Sequence, residues 1–167
     1  KRRLLEKPDC LPNCASSGRL SIDLKPGLLQ GRLELDAAAS TAVPLPRTAA
    51  QWLPEDVALD GQPAKALVRT ADGVLWIAVP AGSHQVVFQG RMPERDSVQL
   101  PLSLKPHRVE VTATGWVVAG VHEDGLADEN LQFTRVAGAA GPGASLQPGA
   151  LPPFVRIERT LAIGLNW

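Results

Sequence analysis

The chain carries two cysteines, Cys10 and Cys14, within the turn-rich stretch PDCLPNC. A zinc site would need two further Cys or His ligands at metal-binding spacing, and the sequence contains no such second pair. A thioredoxin-like redox centre requires the shorter Cys-x-x-Cys spacing at the start of a helix. A turn over CLPNC can bring the two Cα atoms within about 7 Å, as a disulfide requires. We therefore expect a disulfide and no metal, with two inert free thiols as the alternative.

This disulfide would close a very short loop. The entropic model gives such a loop a stabilisation of only about 2 kcal/mol, so the bond would pin the N-terminal segment rather than hold the core together. Disulfides persist in oxidising compartments. The cysteine pair therefore indicates the compartment of the protein more than its chemistry.

Histidine offers a second candidate chemistry in the stretch VHEDG, where His122 and Glu123 are adjacent. General acid–base catalysis needs an imidazole and a carboxylate that converge in a concave, partly desolvated place. Adjacent residues of an exposed turn rarely converge in this way, and Glu-Asp-Gly is ordinary turn chemistry. We keep His122 and Glu123 as possible ligand-binding residues. His84 and His107 stand at the starts of predicted strands, where we expect hydrogen-bonded rim residues.

The aromatic residues are four Trp and three Phe. Trp76 lies in an apolar run and is predicted to belong to the core. Trp52 and Trp116 lie near the ends of predicted elements, where an exposed indole could stack on a sugar ring. We name them as possible ligand-binding residues, although tryptophan is usually highly buried.

Signatures of common catalytic and cofactor sites are missing from the sequence. It has no Gly-x-Ser-x-Gly elbow. Its Gly-rich stretches lack the Lys-Ser/Thr ending of a phosphate-binding loop and do not lead into a helix. We expect a protein that is not an enzyme and that uses no cofactor.

Charge and hydrophobicity exclude two further classes of function. Seventeen basic residues balance seventeen acidic ones. Nucleic-acid-binding domains normally carry a basic excess, so we expect no nucleic-acid partner. No run of residues approaches the ~20 apolar positions of a membrane-spanning helix, so we expect no membrane insertion by this chain.

Period-two alternation of apolar and polar residues dominates the chain and predicts half-buried strands. Such strands are typical of antiparallel sheets with one dry and one wet face. The sequence therefore predicts an all-β fold with little helix, an antiparallel two-layer β-sandwich of immunoglobulin-like or jelly-roll-like type. The clearest alternating segments are RLSIDLK at 19–25, GRLELDA at 31–37, SVQLPLSLK at 97–105 and HRVEVTA at 107–113.

Three local features refine this prediction. The run from Val74 to Val79 is apolar on both faces, which predicts a central strand covered on both sides. Pro101 has no amide hydrogen, so its strand is expected at a sheet edge or with a bulge. Asp72-Gly73 tolerates the positive φ of a tight hairpin turn.

The best helical candidates are short stretches at 2–7 and around Trp52.

The chain divides into four predicted segments. Residues 1–18 form an N-terminal arm with the Cys10/Cys14 loop, and residues 19–136 form the β-sandwich. Residues 137–153 are a Gly/Ala/Pro-rich connection without periodicity. Residues 154–167 read as a final strand that either returns to the same sheet, which we favour, or starts a further domain. With no initiating Met and no polar tail, the chain is expected to be an internal piece of a longer protein.

The block VALDGQPAKALVRTADGVLWIAVPAGSHQVVFQG at 57–90 carries an Asp-Gly-x-Leu hairpin followed by Pro-Ala-Gly-x-His-x-Val. It resembles the immunoglobulin-like and PEGA-like β-modules of bacterial surface and periplasmic proteins. Through LPLSLKPHRVEV and GVHEDGLADENLQFTR, residues 10–136 are similar to a segment of large, membrane-anchored proteobacterial envelope proteins of uncharacterised function. The resemblance implies an envelope location with a structural or interaction role, and it carries no catalytic residues.

We therefore expect a non-enzymatic structural or protein-interaction β-module of a larger bacterial envelope protein. It would lie on the periplasmic or envelope side of a membrane-anchored parent, with other domains of that parent or other envelope proteins as partners. The alternative is a glycan-binding β-sandwich that uses exposed Trp52 and Trp116.

Overall fold

The all-β prediction is confirmed by a computed structural model that describes residue 10, residues 14–46 and residues 52–136. The described ranges contain twelve strands and no helix. The strands are β1 (Ala15–Lys25), β2 (Leu28–Ala37), β3 (Thr41–Pro44), β4 (Asp56–Leu59), β5 (Gln62–Pro63), β6 (Leu67–Arg69), β7 (Leu75–Val79), β8 (Gly82–Arg91), β9 (Ser97–Pro101), β10 (Arg108–Ala113), β11 (Trp116–Val121) and β12 (Ala127–Arg135).

One layer of the sandwich is a six-stranded sheet in the order β10-β1-β2-β8-β4-β5. Its long strands β1, β2 and β8 pair antiparallel along almost their whole length. The edge strand β10 instead runs parallel to β1, with Leu20 opposite Val109. This parallel pair is the one departure from the predicted antiparallel arrangement among the described strands, and it joins segments almost ninety residues apart in the chain.

The facing layer consists of two three-stranded antiparallel sheets, β11-β12-β9 and β3-β7-β6. Pro101 closes β9, which lies at the edge of its sheet, as the missing amide hydrogen predicts. Gly120 produces an irregularity in the pairing of β11 with β12 and has a φ of 92°, a conformation that favours glycine.

The core lies between the layers and is contributed by all three sheets. Each predicted alternation places its apolar residues inward: Leu20, Ile22 and Leu24 of β1 are at most 2% exposed. Phe88 of β8 is fully buried, and its ring lies against the backbone of Gly31 on the neighbouring strand β2. Burial of this apolar surface is the main force that holds the layers together.

Tight turns with positive φ connect the strands at two Asp-Gly pairs, one of them the predicted Asp72-Gly73 turn. Asp60 and Gly61 have φ of 50° and 77° and close the hairpin of β4 and β5. Gly73 has a φ of 83° in the turn between β6 and β7, where the Thr70 amide donates to the Val74 carbonyl at 2.9 Å. Both pairs are Asp-Gly, the residues expected to tolerate this backbone geometry.

Two details of the prediction are wrong. The β7 strand is central in its own three-stranded sheet, but it is covered on only one side, because Ile77 and Val79 are buried while Ala78 is exposed and Trp76 is half-buried. A two-layer sandwich has no third layer to cover the outward face. The N-terminal arm is also shorter than predicted, since β1 already begins at Ala15, which pairs with Ala37.

The helical candidate around Trp52 is not helical from Trp52 onward, and Trp52 itself makes an isolated strand-like bridge. The other helical candidate, at 2–7, lies outside the described residues. So do the connection at 137–153 and the final strand predicted at 154–167.

Candidate interaction surface

Both tryptophans proposed for sugar stacking are buried. Trp52 is 4% exposed, and its ring lies 6.1 Å from that of Phe88 at a tilt of 58°. Trp116 is 6% exposed, and the Arg135 guanidinium lies 4.9 Å from its ring centroid. A sugar ring needs an open aromatic face, so the prediction of exposed indoles at these positions is wrong. The large apolar area of each ring is used for packing instead.

The histidine in the VHEDG turn does not pair with the glutamate beside it. His122 Nε2 lies 3.0 Å from Asp128 Oδ1 across the turn between β11 and β12. The two side chains are 58% and 61% exposed, and Glu123 is exposed as well. A pair this open to solvent lacks the desolvated environment that acid–base catalysis requires.

The predicted disulfide is present. Cys10 and Cys14 are joined, with their Cα atoms 4.4 Å apart. Cys14 directly precedes β1, and its carbonyl accepts a hydrogen bond of 2.8 Å from the Ala38 amide just beyond β2. The disulfide therefore lies at the end of the β1–β2 hairpin, consistent with a staple at the N-terminal edge of the sheet.

His84 is a hydrogen-bonded rim residue, as predicted. Its Nδ1 lies 2.7 Å from Asp60 Oδ2, and the Gln85 amide donates to Asp60 Oδ1 at 2.8 Å. These contacts tie the β4–β5 turn to β8. The hydrogen bond from the Gln85 N–H is the main cause that lowers the pKa of Asp60 below its ordinary value of 3.8, and the hydrogen bond with His84 is the second. His107 is exposed, with its backbone amide bonded to the Ser17 carbonyl.

The lowered pKa of Asp60 predicts a pH-dependent contribution to stability. Because the folded-state pKa lies below the unfolded value, ionised Asp60 stabilises the fold above about pH 4. This contribution is lost as the pH falls through the folded-state pKa. We expect Asp60→Asn, which keeps a residue tolerant of positive φ, to be less stable than the wild type at pH 7.

Urea unfolding between pH 2 and pH 7 measures this difference, which should shrink toward the acid end. Glu123→Gln in the exposed turn of β11 and β12 serves as the control. A stability difference for Asp60→Asn that stays constant over the whole pH range would contradict the prediction.

The outward face of the six-stranded sheet carries a feature that the sequence reasoning missed. The register between neighbouring strands aligns their outward-facing residues in two rows, and each row runs across the strands of the sheet. The first row is Glu110, Ser21, Arg32, Val87, Ala58 and Pro63, and the second is Thr112, Asp23, Gln30, Gln89 and Asp56.

Ser21, Val87 and Ala58 are shorter than the Glu110 and Arg32 side chains of the same row, and the depression beside them is called the outer-face groove. One part, of about 350 Å³, lies between β10 and β8 and is lined by Ser21, Asp23, Gln30, Arg32, Glu110 and Thr112. A second part, of about 320 Å³, lies toward β4 and β5. Val87 of β8 lines both parts, so the groove crosses the sheet from β10 to β5.

Two carboxylates of the groove pair with cations outside its lining, and Arg32 makes no ion pair with any described residue. Asp23 Oδ2 lies 2.9 Å from Lys25 Nζ, and Glu110 Oε1 lies 3.0 Å from Arg108 Nε. Gln89 Nε2 donates to Asp56 Oδ2 at 3.1 Å. Arg32 lies on strand β2, is exposed and lines the groove.

The sequence did contain a signal for this groove, in the polar half of the alternations that identified the strands. Ser21 and Asp23, and likewise Gln30 and Arg32, are the outward-facing residues of β1 and β2. The alternation alone does not say which strands lie side by side, and the groove exists only because six strands meet in this register.

Residues 14–46 and 52–136 include no helix with the length and hydrophobicity of a membrane span. Within the same described ranges, no group of three or more His, Cys, Asp or Glu side chains is placed to hold a metal ion.

Comparison with known proteins does not assign the chain to a family. No family model matches it, and no curated protein matches it closely. Among solved structures, it is similar to an M1 zinc metallopeptidase from Deinococcus radiodurans, with a TM-score of 0.39 and 14% identity over 74% of this chain and 40% of that one. A two-domain M1 zinc metallopeptidase mutant bound to L-tryptophan also has a TM-score of 0.39 and 14% identity, over 72% and 39% of the chains. This chain thus spans about two fifths of those peptidases, and similarity at this level transfers no function to it.

Proposed function

We propose that this domain is a non-enzymatic structural and interaction module of a larger bacterial envelope protein, and that it binds its partner through the outer face of the six-stranded sheet. The observation that carries the proposal is the outer-face groove. It is a long depression with mixed polar side chains on the most extensive sheet of the fold. The partners would be other domains of the same parent chain or other envelope components.

The arrangement of titratable groups supports a binding role rather than catalysis. The His84–Asp60 and His122–Asp128 pairs lie at separate turns, and in each pair the aspartate side chain is about half exposed or more. Neither histidine lines the outer-face groove. Catalysis by a histidine–carboxylate pair requires a reacting group held beside it in a sheltered site.

Two observations support the envelope location. The disulfide is of a kind that persists in oxidising compartments such as the bacterial periplasm. Residues 10–136 resemble segments of membrane-anchored envelope proteins. We accordingly propose that the domain lies on the periplasmic or envelope side of a membrane-anchored parent.

Site-specific photo-crosslinking in the full-length parent tests the interaction surface. A photoreactive amino acid at Gln30, in the groove, is expected to give a discrete crosslinked product in living cells. The same amino acid at Gln99, an exposed glutamine on the opposite layer, is the matched control and should give none. Absence of any product from Gln30, or equal products from both positions, would contradict the proposed surface.

A further inference from the structure

We propose that the outward face of the sheet β3-β7-β6 is the docking site for the C-terminal segment of this same chain, residues 154–167. These residues lie outside the described ranges. The site is on the opposite layer from the outer-face groove, so this inference is independent of the proposed interaction surface.

The register of β3, β7 and β6 builds two rows of side chains on the outward face of their sheet. One row is Pro44, Trp76 and Val68, and the other is Ala42, Ala78 and Ala66. We call these six residues the Trp76 face. All six are apolar, Val68 is 62% exposed, and the three alanines are exposed as well.

The outward sides of the neighbouring strands β12 and β9 are polar instead. Asn130 and Gln132 of β12 and Gln99 of β9 are exposed there. Contiguous exposed apolar surface on a folded domain marks a place where another segment or molecule packs. The run that forms β7 is apolar on both faces, yet the described layers cover only one of them. The Trp76 face therefore has the composition of a covered surface.

The size of the Trp76 face favours one segment of chain over a second copy of the domain. Strands about 4.8 Å apart and rows about 7 Å apart give this face an area of roughly 200 Å². A stable dimer buries about 800 Å² on each partner. The face is too small to hold two copies together, but it matches the width of a single extended segment.

Residues 154–167, with the sequence FVRIERTLAIGLNW, carry a matching apolar pattern. Leu161, Ile163 and Leu165 stand at alternate positions. An extended backbone places alternate side chains about 7 Å apart on one side, so these three would cover about 14 Å, close to the extent of the Trp76 face. The face contains no charged side chain, so apolar contact is the interaction that it offers.

The connection from β12 is long enough to bring the segment to this face. Strand β12 ends at Arg135, and residues 137–153 separate it from the segment. A fully extended connection of this length spans about 55 Å, and a domain of this size is about 35 Å across. A tethered segment also has an effective concentration on the order of 1 mM, which a separate molecule would have to exceed.

Amide hydrogen exchange of the whole 167-residue chain, read by mass spectrometry, tests the docking. We expect residues 154–167 to exchange about tenfold more slowly than a free peptide of the same sequence. Ala78→Arg places a charge in the middle of the Trp76 face and should remove this protection, raising the exchange rate of the segment about tenfold. Ala119→Arg, at an exposed alanine of β11 in the same layer, is the matched control and should leave the rate unchanged.

A reciprocal pair of variants tests the segment itself. Ile163→Asp puts a carboxylate on the apolar side and should shift the indole N–H resonance of Trp76. Thr160→Asp puts the same charge at a position of the opposite parity, so the Trp76 resonance should stay in place.

Three results would overturn the proposal. They are an unprotected segment in the wild type, equal responses to Ala78→Arg and Ala119→Arg, and a Trp76 resonance that Ile163→Asp does not move. Protection that rises with protein concentration would assign the face to a second copy and would overturn it too. If Ala78→Arg loosens the sheet, as faster exchange of β1 would reveal, Val68→Lys on the exposed strand β6 replaces it with the same expected result.

Discussion

Replacing Gly31 by alanine is expected to lower the free energy of unfolding by about 3 kcal/mol, the upper end of the usual range for overpacking a core. Gly31 lies on β2 opposite Phe88 of β8, in the middle of the six-stranded sheet. A Cβ at position 31 would overlap the fully buried Phe88 ring. The ring occupies the space that any side chain there would need, and the close-packed core leaves it nowhere to move.

Urea unfolding of Gly31→Ala, followed by tryptophan fluorescence, measures this effect. Gly18→Ala is the matched control, because a Cβ at Gly18 meets no atom within 4 Å; its stability should change by no more than about 0.5 kcal/mol. A double-mutant cycle with Phe88→Leu, which removes the planar ring, should show favourable coupling between the two sites. A Gly31→Ala protein as stable as the wild type, or strict additivity in the cycle, would contradict the packing described for this pair.

Replacing Phe133 by alanine is expected to destabilise the fold by about 3–5 kcal/mol. Phe133 is fully buried on β12, the middle strand of the sheet β11-β12-β9. Truncation removes its ring from the core shared by both layers and leaves a cavity that the paired strands cannot close. The loss would be a large part of the total stability of a domain of this size.

The neighbouring strand supplies the control for this prediction. Val117 of β11 is 59% exposed, so Val117→Ala should change the free energy of unfolding by no more than about 0.5 kcal/mol. Both variants are measured by urea unfolding. An m-value equal to that of the wild type shows that each variant exposes a similar surface area on unfolding. A loss below about 1 kcal/mol for Phe133→Ala would mean that the two layers do not share the core described here.

Most of the regular structure that the sequence predicted depends on local chemistry. The alternation of Leu20, Ile22 and Leu24 correctly identified β1 and its buried face, because a strand turns successive side chains to opposite sides. Pro101 was correctly placed on an edge strand. The β12 strand was not predicted, since the polar run Asp128, Glu129 and Asn130 interrupts the alternation directly after its first residue.

The candidate site was harder to predict. The disulfide between Cys10 and Cys14 was predicted correctly, because the short loop between the two cysteines keeps their sulfur atoms close together. The prediction of exposed Trp52 and Trp116 was wrong, since position near the end of an element does not determine what packs on a side chain. Trp52 is covered by Phe88, a residue 36 positions further along the chain.

By itself, the sequence determined the fold class, the inward and outward faces of several strands, the Asp-Gly turns and the disulfide. Each of these depends on interactions between residues close together in the chain. Only the tertiary structure decided that β10 runs parallel to β1, that both proposed tryptophans are buried, and that polar residues of five strands align as the outer-face groove. Strand order and register arise from contacts between distant segments, and period-two alternation is the same whichever strands lie side by side.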